Sequence, residues 1–242
     1  RRLTDLCWLL LGWYIKPATW LVRRADAREA RQRTSAPIVK RTHIVDAGLT
    51  WSPLNRPLKI IDRQAGLLAL DGRTKLCIYG YGLGKYEAPL HDSEWIVFGL
   101  NTVPPRDRQG RIRADCWWDI HERCAQTEDD LRWFRQMPMP LFVPADMMDL
   151  GPHCVRYPIE AIERDVTPGP FACTFTYMLA YAYWAGFREI GLYGVELAYG
   201  TQRERTVEWA SVNWWMGFLE AKGVTFYLPH ESRLGNHRYR YG

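Results

Sequence analysis

The order of apolar and polar positions in residues 172–197 predicts a buried helix followed by a buried strand. Residues 174–185 are almost all apolar or aromatic and contain neither Pro nor Gly, which is typical of a helix covered on most of its circumference. Gly186 is the kind of residue that closes a helix in the left-handed conformation. The apolar run 190–195 then indicates a strand covered on both faces, and Glu196 follows where that strand should end.

Similar short runs predict the rest of a sheet. The strongest is KLCIY at 75–79, and EWIVFGL at 94–100 is the next. Strands alternating with helices favour an α/β fold: a single Rossmann-like domain with a mostly parallel sheet. The remaining predictions are strands at 58–62, 66–70, 115–121, 141–143 and 224–228, helices at 128–137 and 203–222, and a loop at 155–162.

The first 57 residues follow a different pattern, which we expect to be a hydrophobic helix and a basic linker, with the α/β domain over 58–242. Lys16 and Pro17 interrupt the apolar segment 6–22, whereas a clean membrane span needs about 20 apolar residues. Arg pairs flank this segment on both sides, which suits peripheral contact with an anionic membrane surface. A helix docked on the domain or on a partner subunit is the alternative.

Composition narrows the class of protein. Charged residues make up 24% and hydrophobic residues 47% of the chain, which is typical of a globular domain. The six Cys residues form no CxxC pair and indicate reduced thiols in a cytoplasmic protein. A net charge of +5 is a mild bias towards anionic partners, and twelve Trp and thirteen Tyr suit stacking on sugars or bases as well as core packing.

A glycine-rich turn, GYGLGK at 80–85, follows the strand at 75–79. Such a turn can bring backbone N–H groups close to a phosphate, although a tight turn without a ligand is the alternative. The turn is not a Walker A motif, because Tyr86 follows Lys85, and it is not GxGxxG, because Lys85 takes the third glycine position. Asn101 ends the next strand, where its amide can bond a ribose or a base.

Several polar residues are candidates for chemistry at the ends of later elements. His121 is predicted at the end of the strand 115–121, and Glu204 shares one face of the helix 203–222 with Glu208. A solvated charged face is the alternative for the two glutamates. Zinc sites favour closer ligand pairs, so we expect no metal site from the loosely spaced set Cys116, His121, Cys124, His153 and Cys154.

Three of these motifs occur in the order found in a known family. GYGLGK at 80–85, FGLN at 98–101, and CTFTYM with GFREIGLYGVELAY at 173–199 resemble the bacterial sialyltransferases of the glycosyltransferase-42 type and small phage-encoded relatives. ESRLGNH at 231–237 is similar to the carboxyl end of that family. The resemblance covers residues 75–237 and implies a nucleotide-sugar-dependent glycosyltransferase that needs no metal and inverts the anomeric centre.

The resemblance also implies roles for single residues. Thr174 would face the phosphate or the sugar of the donor, and Tyr199 would contact the donor. Together the residues that it assigns to donor binding are Gly80, Tyr81, Gly82, Gly84, Asn101, Thr174 and Tyr199.

The chain departs from the family pattern at four places. Tyr81 replaces an Asn, the Ser that the family has near Gly84 is absent, Phe175 replaces a Gly, and no His occurs at 202–204, where the family has its general base. Inverting transfer needs a base for the acceptor hydroxyl. We therefore expect Glu196, Glu204 or His121 to take that role.

Two other functions stay open at this point. The basic segments 23–33 and 106–113, with the abundant Trp, suit a phage-type transferase that acts on a modified base of DNA. The missing family base favours a non-catalytic Rossmann-like binding or structural protein. The expected partners are thus a nucleotide-sugar donor, a DNA acceptor, a membrane surface at 6–22 and a second copy of the chain.

Overall fold

The computed structural model describes residues 50–101, 104–197, 201–230 and 232–235, all within one unit bounded by Ile44 and Gly242. The predictions for 6–22, for Tyr199 and for the side chain of Glu204 fall outside this description. Within it, no helix is both long enough and apolar enough to cross a membrane. The domain boundary at residue 58 stays a prediction, and Ser52 N–H already donates to Ile112 O at 2.8 Å.

A small antiparallel hairpin begins the described chain, with β1 (Lys59–Asp62) paired to β2 (Leu67–Ala69). The main sheet follows, and each of its strand pairs is parallel. This confirms the predicted α/β fold with a parallel sheet. Among the described residues the main sheet has seven strands: β3 (Lys75–Tyr79), β4 (Trp95–Leu100), β5 (Cys116–Trp118), β6 (Leu141–Val143), β7 (Cys154–Arg156), β8 (Glu189–Tyr193) and β9 (Thr225–Tyr227).

The order of these strands creates a topological switch point. The sheet runs β7-β6-β5-β4-β3-β8-β9, so the chain builds outwards from β3 on one side and then returns to its other side with β8. Because the strands are parallel, their carboxyl ends share one edge. Open sheets of this kind bind ligands in the crevice at that edge where the strand order reverses. The switch point lies between β3 and β8, where Gly80 and Gly194 follow the strands.

Helices cover the sheet: α1 (Glu128–Arg135), α2 (Ile159–Asp165), α3 (Thr174–Ala185) and α4 (Trp209–Glu220). The limits of α3 are those predicted, and Gly186 closes it with φ 105°, a left-handed value that Gly adopts without strain. Met178 and Leu179 of α3 are fully buried in the main hydrophobic core. The apolar and aromatic pattern is continuous because α3 packs in the main core on most of its circumference.

Two predictions of local structure were wrong, and a third was confirmed with one irregular turn. The loop predicted at 155–162 contains β7 and the start of α2. The three residues of β7 form a strand through their pairing with β6, and Pro158 precedes α2, where its missing N–H leaves no helical bond unmade. The strand predicted at 115–121 ends at Trp118. The helix predicted at 203–222 is confirmed: the chain is helical over 202–220, with a π-helical turn, Glu204–Glu208, before α4.

A buried ion pair fixes the entry into β4 and β5. The Arg113 guanidinium donates to the carbonyl oxygens of Leu90, Asp92 and Trp95 at 2.9, 2.7 and 2.6 Å. Asp115 lies 3.8 Å from it and accepts from Val97 N–H at 2.9 Å. Burial raises the pKa of the Asp115 carboxyl, against the lowering effect of these hydrogen bonds and of Arg113. The pair therefore holds adjacent strands in register far from the carboxyl edge.

Candidate functional site

The glycine loop, residues 80–84, packs directly on the end of β8. Gly80 N–H donates to Tyr193 O at 2.7 Å, and Gly82 N–H donates to Gly194 O at 2.9 Å. A Cβ on Gly80 would collide with Gly194 O, so this close approach of two backbones requires glycine. The loop therefore continues the pairing of β3 with β8 past the end of both strands.

The Glu196 carboxylate lies inside this loop. Its Oε1 accepts a hydrogen bond from Gly84 N–H at 2.8 Å. A Cβ on Gly82 would overlap Oε2 of the same carboxylate. Glu196 is only 8% exposed. The loop thus surrounds an anion, as glycine-rich turns do, and here the anion is a side chain of the same domain. The sequence predicted Glu196 at this edge but not within the loop.

The amino end of α3 lies beside the loop. Phe175 Cζ would be 3.2 Å from a Cβ on Gly80, which puts the first turn of α3 against the end of β3. Thr174, the first residue of α3, is buried there. Burial raises the pKa of the preceding Cys173 thiol to about 11, and the charge of Glu208 raises it further. Glu208, which supplies that charge, directly precedes α4.

An Asp–His pair follows β5. His121 Nδ1 lies 2.9 Å from Oδ1 of Asp119, and the same oxygen accepts from Gln126 Nε2 at 2.9 Å. The Asp119 side chain is 4% exposed and that of His121 is 51% exposed. In the tautomer that donates Nδ1–H to Asp119, Nε2 carries the lone pair with which a base takes a proton. The sequence did not predict Asp119 or Gln126, although a D-x-H turn directly after a strand was a usable signal.

Asn101 ends β4 between the glycine loop and the Asp–His pair. It is left-handed, with φ 48°, and its N–H donates to Trp118 O at 2.8 Å. Its side-chain Oδ1 is buried and has no hydrogen-bond partner among the described residues. A buried carbonyl oxygen left in this state costs about 1–3 kcal/mol. Asn101 is therefore a position at which a donor group of a ligand would be stabilised.

The structure brings together some of the predicted site residues and separates others. Gly80, Gly82, Gly84, Glu196 and Thr174 meet at the switch point. Asn101 and His121 follow the next two strands on the same edge. The exception in the loop is Tyr81, whose ring points outwards and is 77% exposed.

The loosely spaced Cys and His residues do not converge. His153 Nε2 lies 2.8 Å from Phe134 O, next to the start of β7 and thus at the opposite edge of the sheet from His121. Cys124 is exposed. Across the residues that the structure describes, no group of three or more His, Cys, Asp or Glu side chains has a geometry that could hold a metal ion.

Comparisons with known proteins give a distant similarity in fold. The sialyltransferase CstII with a trisaccharide acceptor and CMP has a TM-score of 0.44 at 16% identity, over 67% of this chain and 84% of that chain. CstII from Campylobacter jejuni with cytidine-5′-monophosphate gives 0.44 at 15% identity, over 67% and 83%. The same enzyme with CMP-3FNeuAc gives 0.43 at 15% identity, over 67% and 84%. The sequence matches no protein-family model and none of the curated proteins searched.

Proposed function

We propose that this chain is a nucleotide-sugar-dependent glycosyltransferase that acts by a single, inverting displacement without a metal. The observation that carries this proposal is the shared edge: the glycine loop and the Asp119–His121 pair end β3 and β5, with Asn101 between them on β4. Such a transfer needs a base for the acceptor hydroxyl and a polar environment for the leaving phosphate. Direct attack of the acceptor, activated by one base, is a single displacement, which inverts the anomeric centre.

In this proposal the donor nucleotide binds between the loop and Asn101. The buried Oδ1 of Asn101 accepts a hydrogen bond from a ribose hydroxyl or a base amine and so gains the partner that it otherwise lacks among the described residues. The first turn of α3, which begins at Thr174, faces the phosphate, because the amino end of a helix favours negative charge. Tyr199 stays a prediction for donor contact.

His121 is the base in this proposal, and Glu196 positions the loop. The acceptor oxygen attacks the anomeric carbon, the His121 imidazole takes its proton, and the nucleotide phosphate leaves with the electron pair of the broken C–O bond. The contact with Asp119 holds the imidazole in one orientation and stabilises its charged form. Glu196 is less suited to this role, because it is almost completely buried and its Oε1 accepts from Gly84 N–H. Glu204 stays an untested prediction.

Slow donor hydrolysis tests this proposal. The full chain is incubated with CMP-, UDP-, GDP- and dTDP-sugars, and the released nucleotide is measured by chromatography. We expect release from one nucleotide class, and a loss of at least about 100-fold in His121→Gln. His91→Gln is the matched control, because His91 is exposed in the turn before β4. Equal rates in the two variants, or no release from any donor, would overturn the proposal.

A non-catalytic binding protein is the second candidate function. The observation that favours it is the Glu196 carboxylate, which already takes the place of an anion inside the glycine loop. Nucleotide binding without any donor hydrolysis would support this alternative over the transferase.

A further inference from the structure

The outer side of the glycine loop is apolar and aromatic. Tyr81, Leu83 and Tyr86 are 77%, 76% and 80% exposed, the highest values among the large hydrophobic side chains of the described residues. They fall within six consecutive positions at the carboxyl edge of the sheet. An apolar cluster of this kind on a surface indicates a contact with a partner or a ligand.

A positive charge lies between the two rings. Lys85 Nζ is 4.6 Å from the ring centroid of Tyr81 and 5.4 Å from that of Tyr86. Cation–π attraction at these distances keeps the ammonium close to the rings. Tyr81, Leu83, Lys85 and Tyr86 therefore form one surface, the aromatic platform, which presents ring faces and a cation together.

The platform rests on a fixed base. Gly82 and Gly84, which alternate with its first residues, are hydrogen-bonded to Gly194 and Glu196 at 2.9 and 2.8 Å. A turn of 3-10 helix, Leu83–Glu87, follows, and Ala88 N–H closes it on Lys85 O at 3.1 Å. The inner half of the loop is thus tied to β8 while the outer half carries the rings. The backbone that carries the rings is therefore already ordered, which lowers the entropy cost of binding a ligand.

The segment 106–113, between β4 and β5, contains further Arg residues. Arg106 begins the basic segment 106–113, in which Arg108 is exposed and Asp107 is paired with Arg111 at 2.8 Å. Arg113 of this segment is buried and paired with Asp115, so its exposed cations are Arg106 and Arg108. The cation in contact with the two rings is Lys85.

We infer that the aromatic platform binds single-stranded nucleic acid, with bases stacked on Tyr81 and Tyr86 and with a phosphate beside Lys85. Stacking on aromatic side chains tolerates any sequence, because every base has a π-face, and cations next to the rings follow the backbone. A role for the nucleic acid as the acceptor of a glycosyltransferase rests on the proposed function, whereas the binding itself does not.

The test is direct binding without any sugar donor. The full chain is titrated into an end-labelled single strand of about 20 nucleotides of mixed sequence, and fluorescence anisotropy is followed at several salt concentrations. We expect Tyr81→Ala and Tyr86→Ala each to weaken binding by about tenfold. Lys85→Gln should reduce the slope of log affinity against log salt by about one. Ile61→Ala, an exposed apolar position on β1, is the control and should bind like the wild type.

Three results would overturn this inference. The first is no binding at low salt, and the second is binding that the two tyrosine variants leave unchanged. The third is that a second copy of the chain binds the platform. Light scattering would then show a dimer that Tyr81→Ala converts to a monomer, and neither the wild type nor the variant would bind the oligonucleotide. If the chain binds the oligonucleotide but hydrolyses no nucleotide-sugar donor, the result would count against the transferase and not against nucleic-acid binding.

Discussion

The carboxylate of Glu196 occupies the space in which a Cβ atom on residue 82 would lie, so only glycine fits at Gly82. Gly84 completes the arrangement by donating its N–H to the same carboxylate at 2.8 Å. The spacing of these glycines is therefore explained within the domain. Gly80 approaches Gly194, and the next two glycines enclose Glu196.

The match between Glu196 and Gly82 predicts a strong coupling. Gly82 has φ −62°, which Ala adopts without strain, so Gly82→Ala acts only through the collision of its methyl group with Glu196. We expect a loss of about 1–3 kcal/mol in the free energy of unfolding, measured with urea. In the Glu196→Ala background the same change should cost less, with a coupling of at least about 1 kcal/mol.

Gly217→Ala is the control for this cycle. Gly217 lies in α4, and a Cβ there would meet nothing within 4 Å. Because Ala is the better helix former, this change should stabilise the domain by about 0.5–1 kcal/mol. Additive effects of Gly82→Ala and Glu196→Ala would mean that the carboxylate does not lie in the loop.

We expect a large loss of stability when the Arg113–Asp115 pair, which lies outside the candidate site, is broken. Asp115→Ala leaves the fully buried guanidinium without its counter-charge, which should cost about 3–5 kcal/mol. Asp129→Ala removes one partner of an exposed pair, Arg132–Asp129 at 2.9 Å, and should cost under about 1 kcal/mol. Urea unfolding of both variants measures the difference, and similar losses would contradict a buried ion pair.

The strongly patterned elements could be predicted from sequence, whereas the contacts of the site could not. KLCIY has the limits of β3, and the aromatic run ending at Gly186 has those of α3, because each is covered on all sides and so carries a continuous apolar signal. β7 has three residues and forms only by pairing with β6.

The site itself depends on long-range contacts. Gly84 and Glu196 are 112 positions apart, and no local pattern relates them. Asp119 was missed although its contacts are local: it lies two positions before His121 and seven before Gln126, in the turn that follows β5.

Thiol reactivity is a third prediction. Cys124 is exposed, whereas Cys77, Cys116 and Cys154 are buried. Burial raises the pKa of Cys154 to about 11 and also raises those of Cys77 and Cys116, so little of the reactive thiolate is present near neutral pH. Iodoacetamide should therefore modify Cys124 at least about tenfold faster, as read by peptide mass spectrometry. The denatured chain is the control, and early labelling of Cys77 or Cys116 in the native protein would count against the buried strands.

The central claim is a nucleotide site between the glycine loop and Asn101, and thermal unfolding with CMP, UDP, GDP and dTDP and their sugar conjugates tests it most directly. A ligand at about 100 times its Kd adds about 2.7 kcal/mol of stability, which is easily measured. The account predicts that one nucleotide class raises the Tm and that Asn101→Ala, which removes the buried Oδ1, abolishes most of that rise. No rise with any nucleotide, or a rise of the same size in Asn101→Ala, would contradict it.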